Sequence, residues 1–140
     1  MIPSRMNWTR ALAAWVMIAA AETLHGILRQ LLLAPFIGEL AARQLGVFTG
    51  SLIIFAVAWF TIRWIGARTV AEQIRVGSAW VVLMVVFELA LGTALGYSPQ
   101  RILADYDLTK GGMMGFGITF MLFAPFLAAK SRPIGKDRNR

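Results

Sequence analysis

The chain has no cysteine, a single histidine and only seven acidic residues among 140. The missing cysteine excludes disulfides, thiol redox chemistry, thiolate metal sites and cysteine nucleophiles. One histidine cannot supply a bis-histidine haem site within one chain. Charged residues make up 15% of the sequence, against about 25% in soluble domains. No glycine-rich phosphate loop, Walker motif, H-E-x-x-H or G-x-S-x-G occurs. No enzyme class is therefore indicated, and a membrane enzyme ranks behind a binding or subunit role.

Apolar residues are abundant, at 58% of the chain, against about 45–50% in soluble proteins. Mean hydropathy is +0.65. A soluble fold of this size has too much surface per volume to hide so much apolar area. The same composition excludes disorder. The net charge of +7 would suggest nucleic acid in a soluble domain. Here the cations lie between apolar runs, where they set membrane topology instead. No nucleic-acid partner is expected; the lipid bilayer is.

Four apolar runs have spanning length: residues 11–34, 45–62, 76–96 and 111–129. Each approaches the ~20 residues that cross ~30 Å of hydrocarbon as helix. The runs are continuous rather than alternating, so helices are expected rather than barrel strands. The reading is an all-α integral membrane protein: a four-helix bundle forming one membrane domain over residues 1–140. Pro35 and Gly38 mark the end of the first span. Residues 67–75 could form a short amphipathic surface helix, and residues 97–110 form the longest loop. The basic segment 130–140 reads as a disordered tail near anionic headgroups.

Positive charge orients the chain. With the N-terminus inside, the inner segments carry Arg5, Arg10, Arg63, Arg68, Arg75 and the five cations of residues 130–140. The outer loops carry Arg43, Arg101 and Lys110. Ten against three places both termini in the cytoplasm, in a cytoplasmic (inner) membrane. Trp8, Trp59, Trp64 and Trp80 fall near the inner ends, as an interfacial belt would. A rival reading takes residues 1–21 as a signal peptide cleaved before Glu22, which leaves three spans.

The most informative residues are ionisable ones inside the spans. Glu22, His25 and Arg29 follow an i, i+3, i+7 spacing, which puts them on one helix face. Glu88 lies in the third span. Glu22 is twelve residues past Arg10 and Glu88 thirteen past Arg75, so both carboxylates should reach similar depth near the midplane. A charge there costs at least ~2.5–3.5 kcal/mol. One buried polar cluster between the first and third helices is expected, holding Glu22, His25, Arg29 and Glu88. It serves either as a ligand, ion or proton site or as a device that fixes helix packing. Glu22-x-x-His25 has the spacing used by di-iron bundles, but one pair plus Glu88 falls short of their ligand set. No metal, haem or other cofactor is expected.

Glycines recur in G-x-x-x-G pairs: Gly46 and Gly50, Gly92 and Gly96, Gly111 and Gly115. All fall in the outer half, with His25 and Arg29. They allow close helix packing or open a cavity beside the charges, while tryptophans crowd the inner half. Asp105 and Asp107 of the outer loop could close such a cavity, bind a cation, or simply be solvated. The expected role is binding or transport of a small molecule, ion or proton, as a homo-oligomer or as a subunit of a membrane complex. The alternative is a non-catalytic subunit or assembly factor.

Overall fold

The computed structural model describes residues 5–132, and all regular structure among them is helical. Among the described residues four helices are long and apolar enough to cross a membrane. The first, α1, joins an α-helix Trp8–Leu28, a π-helical turn Arg29–Leu33 and a last turn Ala34–Ile37. The others are α2 (Glu39–Ile65), α3 (Val70–Ala94) and α4 (Met114–Ser131). Most of the expected tail, residues 133–140, lies outside the described residues.

The π turn is a response to Pro35. Proline offers no N–H and crowds the carbonyl four residues back. One extra residue is taken up just before it, so the Ala34 N–H reaches the Arg29 carbonyl. Pro35 therefore does not end the helix, as the sequence had suggested. Gly38 does, at φ +90° and ψ 157°, a conformation open essentially to glycine alone. It is the only residue between α1 and α2. Helix continues without a break across Ala21–Glu22, the junction of the signal-peptide reading.

At the other end α2 stops at Gly66, which takes the left-handed conformation at φ +79°. Thr69 then caps α3, with Glu72 closing a reciprocal capping box. Residues 67–75 are thus a turn and the first turns of α3, not a separate surface helix. Gln73 and Val76 are already buried there. The loop from α3 to α4 contains a short helix, Pro99–Ala104, and a 3₁₀ turn, Leu108–Lys110.

The helices form a ring in the order α1, α2, α4, α3, with α1 and α3 spaced more widely at the backbone and joined by side chains. The Asn7 N–H donates to the Ile65 carbonyl at 2.9 Å. Arg132 Nη1 donates to the Trp59 carbonyl at 2.9 Å. Both described ends of the chain therefore meet the end of α2, at one end of the bundle. The core sits in this half. Ala11, Ala14, Ala58, Ala124 and Ala128 let the backbones approach around Ile18, Ile62, Val76 and Trp80. Gly77 is the tightest point: a Cβ there would stand 1.9 Å from the Leu122 carbonyl oxygen of α4.

Trp80 corrects the sequence reading. It is 1% exposed and donates from Nε1 to the Ala11 carbonyl at 2.9 Å, so it belongs to the core and not to an interfacial belt. Small residues on α1 make room for it. Trp8 and Trp64 are half exposed, as belt residues would be. Arg10 lies over the Trp64 ring at 5.4 Å and donates to the Trp64 carbonyl, an otherwise unpaired group at the α2 terminus.

Candidate functional site

The half of the bundle away from the termini is built differently. Here the α1 stripe faces α2. Gly46 and Gly50 lie one turn apart on α2, and their missing side chains leave a shallow groove. Arg29 fills it at Gly46, its Nη1 2.9 Å from where a Cβ would stand. Glu22 fills it at Gly50, its Oε2 2.8 Å from that position. This G-x-x-x-G receives charged side chains rather than a neighbouring backbone. His25 lies between them in sequence but turns aside. Its Nε2 is 2.7 Å from Thr49 Oγ1, and its Nδ1 is 3.7 Å from Glu22 Oε2.

The opposite wall comes from α3 and the long loop. Tyr106 donates its hydroxyl to Glu88 Oε2 at 2.9 Å. Burial, then the neighbouring Glu88 carboxylate, holds the Tyr106 hydroxyl above its ordinary range, so it stays a donor. Asp105 pairs with Arg43 of α2, and Arg101 pairs with Glu39 at 2.5 Å. Gln44 donates to the Gly111 carbonyl at 3.1 Å. Four contacts thus hold the loop over the helices.

Between these walls is a cavity of about 120 Å³. Glu22 and Arg29 of α1, Arg43 of α2, Glu88 of α3 and Asp105 of the loop all line it. Its apolar lining includes Met84, Met113, Met114 and Met121, flexible side chains suited to adaptable surfaces. The volume compares with the ~150 Å³ cavity that takes up benzene and falls below the ~300–1,000 Å³ of drug-sized sites. A nucleotide does not fit it; a few waters or a small solute does.

The expectation of a buried cluster between the first and third helices needs correction. No charged residue is buried among the described residues. The side chains of His25 and Glu22 keep 20% and 24% exposure. The physical cause is the groove of α2: the charges lie over its glycines, at the wall of a cavity, instead of in a closed seam. Single atoms are nonetheless covered. Glu22 Oε1, Arg29 Nε and Arg43 Nε have no hydrogen-bond partner.

Glu22, Arg29, Glu88 and Asp105 are thus brought to one cavity, while His25 is beside it. Asp107 is not among the lining residues; it caps the 3₁₀ turn through Thr109. Those hydrogen bonds from Thr109 hold its carboxyl below the ordinary range. The other glycine pairs are dispersed in role. Gly92 lies under Ile102 of the loop, Gly96 and Gly111 take positive φ at turns, and nothing stands within 4 Å of a Cβ at Gly115.

Sequence reasoning missed Arg43, Gln44 and Tyr106. Arg43 and Gln44 are two and one residues before the apolar run of α2, so they read as loop. Tyr106 sat in plain view between two aspartates, but only the folded loop shows that it meets Glu88. Among the described residues no group of three or more histidine or acidic side chains is placed to hold a metal ion. No family model, curated protein or solved structure matches the chain.

Proposed function

We propose that the chain is an integral protein of a cytoplasmic membrane, with both termini on the cytoplasmic side, that binds or transports a small solute, ion or proton through the loop-end cavity. One observation carries this reading: charged side chains from three helices and the long loop converge on a single cavity, away from the packed core. Ionisable groups at membrane depth are costly and usually mark function. Glu22 and Glu88 are the groups suited to exchange protons or bind a cation. Arg29 is the contact for an anionic group, and His25 can relay a proton through Thr49 or Glu22. So small a chain encloses little cavity alone, which favours a homo-oligomer or a complex.

A second reading rests on the Tyr106–Glu88 and Arg43–Asp105 contacts. These tie the loop to the helices, as a non-catalytic subunit with structural polar groups would require.

Native mass spectrometry of the protein extracted from its own membrane separates the two. The solute reading predicts a small-molecule adduct on the wild type that Glu22→Gln and Arg29→Gln lose while melting as the wild type does. A protein without adduct, whose variants melt several degrees lower, overturns it. A stoichiometric complex with a different protein supports the subunit reading.

A further inference from the structure

We infer that the solute is a small zwitterion, an ammonium and a carboxylate joined by a short chain, held between Glu22 and Arg29. The inference rests on the solute reading of the cavity and names the ligand class.

Most charges at the cavity already have partners. Asp105 is paired with Arg43, and Glu88 accepts from Tyr106. Arg29 has no hydrogen bond or ion pair among the described residues, and its Nε is covered. Glu22 lies within electrostatic reach of Glu88 and Arg29, but its one ion-pair contact among the described residues is His25, 3.7 Å from Oε2, and its Oε1 is covered without a hydrogen-bond partner. One carboxylate and one guanidinium are left over, of opposite sign and on one wall.

They are held apart. Each touches a different glycine of α2, Glu22 at Gly50 and Arg29 at Gly46. Side-chain positions four apart on a helix are ~5–6 Å from each other. The charged groups lie over positions one helical turn apart on α2 and make no ion pair with each other among the described residues. A short molecule fits this interval when its ammonium donates to Glu22 and its carboxylate accepts from Arg29 at ~2.7–2.9 Å each. A cavity of about 120 Å³ admits such a molecule.

Pairing both groups with one molecule selects the class. A lone cation satisfies Glu22 and leaves Arg29 unpaired; a lone anion does the reverse. Unpaired charges at low dielectric are costly. A zwitterion pairs both groups and adds no net charge. The methionines then pack against its short carbon chain.

The test is titration calorimetry of the full-length protein in nanodiscs with defined probes. Glycine, β-alanine and γ-aminobutyrate form a length series; methylammonium and acetate carry one charge each. At least one zwitterion is expected to bind tenfold or more tightly than either single-charge probe. Glu22→Gln and Arg29→Gln are each expected to weaken it by about tenfold. Gly46→Ala, which displaces Arg29 without removing a charge, is expected to weaken it as well.

Equal binding of methylammonium or acetate overturns the zwitterion and leaves the solute site standing. So does a native adduct combined with silence from every zwitterion. If no probe binds and the extracted protein carries no adduct, the inference and the solute reading fall together.

Discussion

The two halves of this bundle use small residues for opposite ends. Near the termini, alanines and Gly77 bring backbones together around Trp80. Near the long loop, Gly46 and Gly50 hold helices beside a space that Arg29, Glu22 and a cavity occupy. In lipid the apolar environment outside matches the one inside, so packing contacts decide stability. The first half supplies those contacts. The second gives up some of them and gains room for polar chemistry. The same residue type therefore predicts nothing until its neighbour is known.

Substitutions can break that comparison. Trp80→Ala should have the largest effect, about 3 kcal/mol or more, because it leaves a large void in the core. Thermal melting in detergent reads it, and a loss under 1 kcal/mol would contradict the core assigned to the termini end. Gly77→Ala comes next. A methyl group 1.9 Å from the Leu122 carbonyl forces α3 and α4 apart, for a loss of about 2–3 kcal/mol. Tyr106→Phe removes the donor to Glu88 and should cost about 1–2 kcal/mol, with earlier proteolysis of the loop as a second sign.

The glycines of the other half sharpen the contrast. Gly46→Ala and Gly50→Ala meet only the flexible side chains of Arg29 and Glu22, so melting should change by less than about 1 kcal/mol while the cavity changes shape. Gly115→Ala meets nothing within 4 Å. It should raise stability slightly, by up to ~0.5–1 kcal/mol, through helix propensity alone. If Gly77→Ala and Gly115→Ala melt alike, the division of the bundle into two kinds of packing fails.

The four helices were legible because each carries an apolar run of spanning length, which few other folds produce. Their true ends were less so. The helix of α2 begins at Glu39, six residues before its apolar run, because charged residues continue a helix that hydropathy no longer marks. The start of α3 is legible in the Thr69–Glu72 capping box, whose spacing marks a helix start where hydropathy does not. Glu22, Arg29 and Glu88 stood out as ionisable residues within apolar runs, and a cavity beside the outer glycines was one of two readings kept open. Trp80 was misplaced because tryptophan prefers interfaces on average, whereas its burial depends on Ala11 and Ala14 of another helix. The Arg43–Asp105 pair joins residues 62 apart, and no local pattern encodes that distance.

The single-residue joint at Gly38 has a practical consequence for mapping topology. With no loop between α1 and α2, there is nowhere on that side of the hairpin to insert a protease site, a glycosylation acceptor or an epitope without cutting a helix. All such reporters for that face must go into the segment between α3 and α4. A tag placed there strains the Tyr106 and Asp105 contacts, so a silent reporter and a disabled protein would look alike unless the label is a single substituted cysteine. The absence of native cysteine makes that labelling scheme available without further engineering.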